Sequence, residues 1–383
     1  MGERAGGGLL LVSRSMPPDI GGYQSQMLLL LPHLCGAFRR VVWVGAVRDA
    51  HRPASAAPHD GARLVRVPAA WIPRFLRGAA DPLVVLLASV HLVWGSARRR
   101  PGAMLVLSPT MVGAPLLVLL GRLLGWRTSA RFPSRGDQMH RRGRRVGVRT
   151  NGVNLVPSPG QMDEQPEFPV TVVLNAVQPR DDLRSDPDPV GGTFLFVGRF
   201  IHTKRPQLVL DAWRDLADGL PAWRMRFVGD GGSESSSVER ALLDEAHRSR
   251  VPRCTFTGPV SDPMELMRDA EVLVFPSTTE GLPNSMLEAL AVGLPVLADR
   301  ELAASWFGRP VPLLEWDGEA STLRSAMERA AGDVSSRRAL RSAGPAFASA
   351  HHDPSTVAAL LTALLHQRRS GWRRRVPAPA HGC

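Results

Sequence analysis

The sequence predicts an α/β protein built as two facing, Rossmann-like, doubly wound domains. At 383 residues the chain is too long for one ordinary hydrophobic core and suits two. Short apolar runs that end in glycine or polar loops alternate with helical patterns, which is typical of parallel sheets covered on both faces. A stretch between Gln178 and Gly192 is rich in Pro, Asp and Arg, lacks apolar periodicity and indicates an interdomain linker.

This pattern sets the predicted domain organisation. We expect an N-terminal Rossmann-like domain, a linker, a second Rossmann-like domain, and a C-terminal helix with a basic tail. Their predicted bounds are 1–178, 179–192, 193–354 and 355–383.

In the N-terminal half, apolar runs predict strands separated by helices. The predicted strands cover 9–13, 40–44, 104–107, 127–132 and 152–156, and the predicted helices cover 23–34 and 114–124. The two most apolar stretches are 83–94 and 104–120. The first is too short to span a bilayer and the second is interrupted by Ser, Thr and Pro, so both are expected to be buried and no transmembrane helix is predicted.

The C-terminal half shows the same alternation more clearly. Asn284 is expected to cap one of its helices, and the last helix is expected to pack back towards the first domain. The predicted strands cover 193–197, 225–228, 253–257, 272–275 and 295–298. The predicted helices cover 206–216, 238–247, 264–269, 284–291, 319–333 and 355–366.

The cysteine and charge content narrows the class of protein. Cys35, Cys254 and Cys383 are too far apart in the chain to suggest a disulfide framework or a metal cluster, which favours a reducing, cytoplasmic location. The net charge is +12, with arginine clusters at 98–100, 141–145 and 373–375. No zinc-finger spacing or aromatic-interleaved basic motif accompanies them, so no nucleic-acid partner is expected. An anionic membrane leaflet, an acidic acceptor and a solvated arginine-rich surface all remain open.

The only lysine of the chain, Lys204, lies in a predicted strand-to-helix loop with Arg199. Two cations beside a helix N-terminus suit a diphosphate leaving group, because the unpaired N–H groups and the helix dipole also attract anions. The alternative is a pair of surface cations, although cations at a helix start oppose the dipole.

A second loop, at 276–285, leads into a helix that carries Glu288. Gly281 allows the backbone to approach a ligand closely. Carboxylates accept hydrogen bonds from vicinal hydroxyls, so Glu280 and Glu288 suit a sugar ring and a ribose. The alternative for Glu288 is a buried or capping carboxylate in an otherwise apolar helix.

Together these motifs resemble the retaining GT-B glycosyltransferases of family 4 (glycosyl transferases group 1). The resemblance covers most of 193–298 in the right order and is weaker in the N-terminal half. It includes the family's Glu-x7-Glu signature at Glu280 and Glu288. Its segments are FVGRF at 196–200 through Lys204, VGDGG at 228–232, FTGPV at 256–260, PSTTEG at 276–281 through Glu288, AVGLPV at 291–296, the Gly21-Gly22 loop, VPS at 156–158 and VLNAV at 173–177.

The resemblance implies roles for individual residues. Arg199 and Lys204 would neutralise the donor diphosphate, while Glu280, with the backbone of Gly281 and Leu282, would contact the donor sugar. The remaining implied donor contacts are Glu288 at the ribose, the backbone near Val260 at the nucleobase, and Gly21 and Gly22 at the diphosphate from across the cleft. The family uses no metal and no cofactor beyond the nucleoside-diphosphate sugar.

One departure from the family concerns the acceptor side. Many members have a histidine at the end of the strand that here reads SARFPSRGD at 129–137, and this chain has no histidine there. Arg131, Ser134 or Asp137 are expected to line the acceptor side instead. The alternative for the Arg-Gly-Asp segment is a simple turn.

Rival enzyme classes fit less well. A dehydrogenase would need Gly-x-Gly-x-x-Gly, and the GDGGSE segment at 229–234 lacks the last glycine. A P-loop kinase is excluded because Thr203, not glycine, precedes the lysine. The Asp-x-Asp spacing at 186–188, which a metal-dependent GT-A enzyme would use, falls in the predicted linker.

The resemblance to family 4 therefore implies a metal-independent, retaining hexosyltransferase. Its partners would be a nucleotide sugar and a glycan, lipid-linked or small-molecule acceptor, with peripheral association at the inner, anionic membrane face. The alternatives are a nucleotide-sugar 2-epimerase of the same fold and a non-catalytic sugar-nucleotide binding module.

Overall fold

The computed structural model describes two parallel β-sheets, each flanked by helices. The described residues are 5–16, 22–47, 61–69, 80–98, 101–133, 140–162, 168–178, 191–231, 236–260 and 262–367. The predicted fold class, two Rossmann-like α/β domains, is confirmed.

The N-terminal sheet has seven strands. They are β1 (Ala5–Ser15), β2 (Phe38–Val47), β3 (Ala62–Pro68), β4 (Ala103–Val106), β5 (Arg127–Arg131), β6 (Asn154–Val156) and β7 (Thr171–Val172). Their order is β3-β2-β1-β4-β5-β6-β7, and every pairing is parallel. The order reverses between β1 and β4, so this sheet has its switch point there.

Helices cover both faces of this sheet. They are α1 (Gly22–Ala37), α2 (Asp81–Ala97), α3 (Ala114–Leu123) and α4 (Arg141–Arg149). Because strand side chains alternate, Leu10 and Val12 of β1 pack with α2, α3 and α4, while Leu9 and Leu11 pack with α1. Both faces of the sheet are therefore buried.

The C-terminal sheet has six strands. They are β8 (Gly192–Val197), β9 (Trp223–Val228), β10 (Cys254–Gly258), β11 (Val272–Phe275), β12 (Val296–Asp299) and β13 (Leu314–Trp316). Their order is β10-β9-β8-β11-β12-β13, again all parallel. The switch point falls between β8 and β11, the two central strands.

Eight α-helices lie in the described part of the second half. They are α5 (Pro206–Leu216), α6 (Ser236–Arg248), α7 (Pro263–Arg268), α8 (Asn284–Ala291), α9 (Arg300–Phe307), α10 (Leu323–Gly332), α11 (Val334–His352) and α12 (Pro354–His366). The last, α12, leaves the second domain and packs on α1 of the first. There the Phe38 ring stacks on the His366 ring with centroids 4.8 Å apart, and Arg127 Nη1 donates to the His366 carbonyl at 2.7 Å. The expected return of the C-terminal helix is confirmed.

The expectation for the most apolar stretches is wrong in one respect. Residues 83–94 form most of α2, and one face of that helix, including Leu86 and Val90, is exposed. Residues 104–120 span β4 and much of α3, whose Leu116 is also exposed. No helix among the described residues is long and apolar enough to cross a membrane.

Candidate functional site

The two loops singled out in the sequence meet at the switch point of the C-terminal sheet. One follows β8 and the other follows β11, which are neighbouring strands. Open parallel sheets bind ligands at this position, outside the carboxyl ends of the strands.

The β8 loop is held close to the neighbouring strand end. The Gly198 amide donates to the Val228 carbonyl at 3.0 Å, and Gly229 has a φ of +132°. A Cβ atom on Gly229 would lie 1.9 Å from the Gly198 carbonyl oxygen. Glycine is therefore required at position 229 for both its backbone angle and the close approach.

The same loop then turns through a short 3-10 helix, His202–Lys204, before α5 begins. Its Thr203 carbonyl accepts a hydrogen bond from the Thr278 amide at 3.1 Å, which ties the two loops together. Proline at the first position of α5 costs no hydrogen bond, because its missing N–H would have no partner within the helix.

The structure brings Lys204 and Glu280 into direct contact. The Lys204 ammonium donates to Glu280 Oε1, and both side chains are mostly buried. The ammonium also lies 5.7 Å from the centre of the Phe275 ring. A single cation and a single carboxylate thus face each other at the sheet's switch point. Arg199 lies on the same loop with an exposed side chain.

The β11 loop approaches the N-terminal domain at Gly281. A Cβ atom there would lie 2.4 Å from the Pro133 carbonyl oxygen, so a side chain would push the two domains apart. Leu282, the next residue, is buried. Its carbonyl accepts a hydrogen bond from Asn175 Nδ2 at 3.2 Å.

A polar network joins the domains beside these residues, and the sequence did not predict it. Asn175 Nδ2 also donates to Asn284 Oδ1 at 2.7 Å, and Gln26 Nε2 reaches the same oxygen at 3.4 Å. Gln26 exchanges two hydrogen bonds with the backbone of Ala176, at 2.7 and 3.0 Å. Asn284 is the first residue of α8 and Pro283 occupies the N-cap position, so the predicted capping role is wrong. The VLNAV segment at 173–177 was the one sequence signal that could have pointed to Asn175.

Glu288 lies about one turn along α8 and is half-buried. Loss of solvation, reinforced by the negative charge of Asp262, raises its pKa to about 7. Asp262 is also the N-cap of α7, where it accepts a hydrogen bond from the Met264 amide at 3.0 Å. Val260, half-buried in the same hydrophobic cluster as α8, lies two residues before Asp262. The residues expected at the ribose and at the nucleobase are therefore on neighbouring elements.

Of the three acceptor-side candidates, only Arg131 lies among the described residues, and it is placed differently from the expectation. Arg131 is only 2% exposed, and its Nη2 donates to Asn175 Oδ1 at 2.7 Å. Burial lowers its pKa to about 10. The guanidinium therefore lies beneath the domain boundary and supports Asn175, rather than lining the acceptor side. Ser134 and Asp137 lie outside the described residues.

Only one of the two glycines expected to approach the diphosphate from across the cleft lies among the described residues. Gly21 lies outside the described residues, and Gly22 is the first residue of α1. One turn later on α1, Gln26 touches Asn284 at the start of α8. The N-termini of α1 and α8 thus face each other across the domain boundary.

Among the described residues, no three His, Cys, Asp or Glu side chains come together where they could hold a metal ion.

A family model and several known proteins match the part of the chain that contains these loops. The family model "Glycosyl transferases group 1" matches residues 191–306, which include the β8 loop, the β11 loop and α8. An uncharacterised glycosyltransferase of Haemophilus influenzae is 35% identical over 108 residues, 28% of this chain and 29% of that protein. The 2-deoxystreptamine glucosyltransferase of Streptomyces kanamyceticus is 30% identical over 155 residues, 40% of this chain and 38% of that protein. The chain thus matches well under half the length of each of these relatives.

Solved structures resemble the chain over nearly its whole length. The Anabaena protein HepE in complex with UDP-glucose superposes with a TM-score of 0.71 and 14% identity, covering 94% of this chain and 99% of that one. Sucrose-phosphate synthase from Thermosynechococcus elongatus gives a TM-score of 0.71 and 18% identity, covering 94% and 98%. The fold is that of the GT-B glycosyltransferases.

Proposed function

We propose that this protein is a glycosyltransferase that moves a sugar from a nucleoside-diphosphate donor to an acceptor. The observation that carries the proposal is the contact between Lys204 and Glu280 at the switch point, with the start of α8 beside them. The donor's diphosphate would lie against Lys204 and Arg199. Glu280 and the backbone of Gly281 and Leu282 would contact the sugar, and Glu288 would hold the ribose.

The proposed chemistry is electrostatic. As the glycosidic bond breaks, negative charge grows on the departing diphosphate, and fixed cations stabilise that charge more strongly than they stabilise the ground state. We propose that the reaction retains the anomeric configuration and needs no metal, as in family 4. Activity unchanged by EDTA, and NMR of the first-formed sugar with its anomeric configuration preserved, would support these two points.

A uridine nucleotide is favoured by one structurally similar protein, since HepE was crystallised with UDP and with UDP-glucose. For the acceptor we propose a glycan, lipid-linked or small-molecule hydroxyl group. The protein would work in the cytoplasm, in peripheral contact with an anionic membrane. Support for that contact comes from the arginine clusters at 98–100 and 141–145.

The first test is calorimetric titration with UDP, GDP, ADP and TDP, with NAD as a control. One nucleoside diphosphate is expected to bind, and Lys204→Ala is expected to weaken it about tenfold or more through loss of a charge-assisted hydrogen bond. Arg224→Ala, at an exposed arginine of β9, is the matched control and should bind as the wild type does.

Binding of NAD alone, or of no nucleotide, would contradict the proposal. Binding without turnover of the donor would leave a non-catalytic module, and conversion of the donor to its epimer would identify a 2-epimerase. Release of the nucleoside diphosphate together with transfer to an acceptor separates the proposed function from both alternatives.

A further inference from the structure

One face of α2 is apolar and uncovered. Leu83, Leu86, Val90, Val93 and Trp94 are all exposed, and their spacing of three and four residues places them along a single stripe. The opposite stripe, with Val84, Ala88 and Leu92, is buried in the core of the N-terminal domain. The only charged residue of the helix is Asp81 at its start, and that side chain is buried.

The neighbouring helix α3 repeats this pattern. Val112, just before the helix, and Leu116, Leu119 and Leu123 are exposed at the same helical spacing. A hydrogen bond from Ser96 Oγ to the Leu124 carbonyl, 3.0 Å long, holds the ends of the two helices together. The two stripes thus form one apolar face of the domain. Single exposed leucines are normal on proteins, but a contiguous apolar face marks an interaction site.

Arginines border this face where α2, α3 and α4 end. Arg98 follows α2, Arg122 lies in the last turn of α3, and Arg149 ends α4. Arg122 Nη1 donates to the Arg149 carbonyl at 2.9 Å, so the ends of α3 and α4 lie together. Also on α4, the side chains of Arg145 and Val148 are exposed.

A cavity of about 630 Å³ opens at the same border. It lies between the end of α2 and the first residues of β1 and β2, and none of its lining residues is acidic. The guanidinium carbons of Arg98 and Arg40 lie 3.6 and 5.1 Å from the centre of the Trp94 ring. A tryptophan flanked by arginines combines an apolar body with cations, the combination found at the boundary between lipid tails and headgroups.

The charge of the domain is one-sided. Among its described residues, up to Gln178, the single carboxylate is Asp81. That carboxylate is buried and paired with Arg14 Nη2 at 3.1 Å. Among the described residues of this domain, arginines therefore outnumber carboxylates.

We propose that the α2–α3 face with its arginine border is a docking surface for an anionic phospholipid bilayer. The leucines and valines would enter the boundary of the acyl chains, and the arginines would contact lipid phosphates. A second copy of the chain fits less well, because two such arginine borders would be brought together. This surface would make the membrane contact that is part of the proposed function. The docking proposal rests on the proposed function only for the reason why the protein would bind a membrane.

Co-sedimentation with vesicles tests the proposal. The full chain is expected to bind vesicles of phosphatidylcholine mixed with phosphatidylglycerol, to bind phosphatidylcholine alone much less, and to dissociate as salt is raised. The double variant Leu86→Glu, Leu116→Glu should lose binding by about tenfold or more for each leucine removed from the bilayer. These leucines are 58% and 67% exposed, so the substitution leaves the core intact.

Leu360→Glu is the matched control, because Leu360 is 46% exposed but lies on α12, away from this face. It should bind vesicles as the wild type does. A second variant, Arg98→Gln with Arg122→Gln, should weaken binding to the anionic vesicles several-fold without changing the circular dichroism spectrum.

Several outcomes would overturn the proposal. They are wild-type binding by the double leucine variant, no vesicle binding by the wild type, or a dimer in sedimentation that the leucine variant converts to a monomer. Nucleotide titration of the same samples distinguishes failure of the docking surface from failure of the proposed function. If the leucine variant binds UDP normally but not vesicles, the docking surface is supported; if nucleotide binding is absent throughout, the proposed function alone fails.

Discussion

Glu288 differs from an ordinary surface glutamate because its environment opposes ionisation. Its pKa is raised to about 7 first by loss of solvation and then by the nearby Asp262 carboxylate. A nucleotide whose ribose hydroxyls donate hydrogen bonds would favour the ionised form. The proton on Glu288 therefore links folding and ligand binding to pH near neutrality.

We predict that Glu288 lowers the stability of the protein as pH rises from about 4.5 to about 7. In this window the folded state retains a proton that the unfolded state has lost, so raising pH favours unfolding, by on the order of 2 kcal/mol in total. Glu288→Gln removes this effect. The measurement is the free energy of urea unfolding of both proteins at the two ends of the window.

The relevant quantity is the difference in unfolding free energy between the wild type and Glu288→Gln, because buried His352 changes the stability of both proteins in the opposite direction. Burial lowers its pKa to about 4, so its contribution to stability is lost as pH falls from 6.5. If wild type and Glu288→Gln follow parallel stability curves, Glu288 has no raised pKa.

The contact between Lys204 and Glu280 leads to a second prediction. Without a ligand, the Glu280 carboxylate is paired with the Lys204 ammonium group, which the donor diphosphate would also bind. Glu280→Gln should therefore leave nucleoside-diphosphate affinity unchanged or raise it several-fold, while sugar transfer falls by about 10²-fold or more. Calorimetry and initial transfer rates give the two numbers. Weaker diphosphate binding by this variant would show that Glu280 positions Lys204 rather than competing for it.

At the residue scale, sequence motifs led to Lys204, Glu280 and Glu288 because each follows a recognisable strand end. Gln26 and Asn284 could not be paired in the same way, since 258 residues separate them. Their contact depends on how two domains meet, and no local pattern encodes that. Arg131 was assigned to the wrong surface because charge alone does not reveal that a guanidinium is buried.

At the scale of elements, the segment after β7 acts as the joint between the sheets. Asn175 accepts from Arg131 of the first domain and donates to Leu282 and Asn284 of the second. The Asn175 carbonyl also accepts a hydrogen bond from His352 Nδ1 at 2.7 Å. One residue thus links β5, α8 and α11.

Asn175→Ala is predicted to destabilise the protein by about 2–3 kcal/mol, because it leaves buried polar groups without partners. It should also loosen the domains, lowering nucleotide affinity and raising the radius of gyration measured by X-ray scattering. Asn154→Ala is the control: Asn154 is buried and hydrogen-bonded to Gly147 and Pro169 within the first domain. A similar loss of stability is expected there, without change in the scattering. Equal scattering for both variants would contradict a joint at Asn175.

Helices and strands with strong patterns were predictable. The bounds of α5, β11 and α8 agree with the sequence, because each has a clear start or stop such as Pro206. The short strands β7 and β13 were missed, since two or three residues carry no periodicity. The exposed face of α2 was expected to be buried, because hydrophobicity cannot tell whether a neighbouring element covers a helix.

At the scale of the whole molecule, the chain crosses between the domains more than once. After finishing the second sheet it returns through α12, which packs on α1 and buries Val357, Leu361 and Leu365 in the first domain's core. Helix α12, which follows the second sheet, therefore completes the first domain. The repeated strand and helix pattern predicted the two sheets, whereas the way they face each other required the structure.

Leu361→Ala should destabilise the N-terminal domain by about 2–5 kcal/mol, although it lies after the C-terminal one, because it leaves a cavity in a closed core. Leu360→Ala, at the exposed neighbour, should cost less than about 0.5 kcal/mol. Urea unfolding followed by hydrogen exchange would locate the loss. If exchange accelerates in α5 and β8 rather than in α1, the packing of α12 does not stabilise the first domain.

The return of α12 also bears on the order in which the protein can be made. The N-terminal sheet leaves the ribosome before the C-terminal one. Leu30 and Leu34 of α1, however, belong to a core that is completed by α12, which is encoded more than three hundred codons later. Until then, part of that sheet's surface is open to chaperones or to misassociation, while the C-terminal sheet has all its own strands and can close earlier. The N-terminal sheet, although translated before the C-terminal one, is thus completed after it.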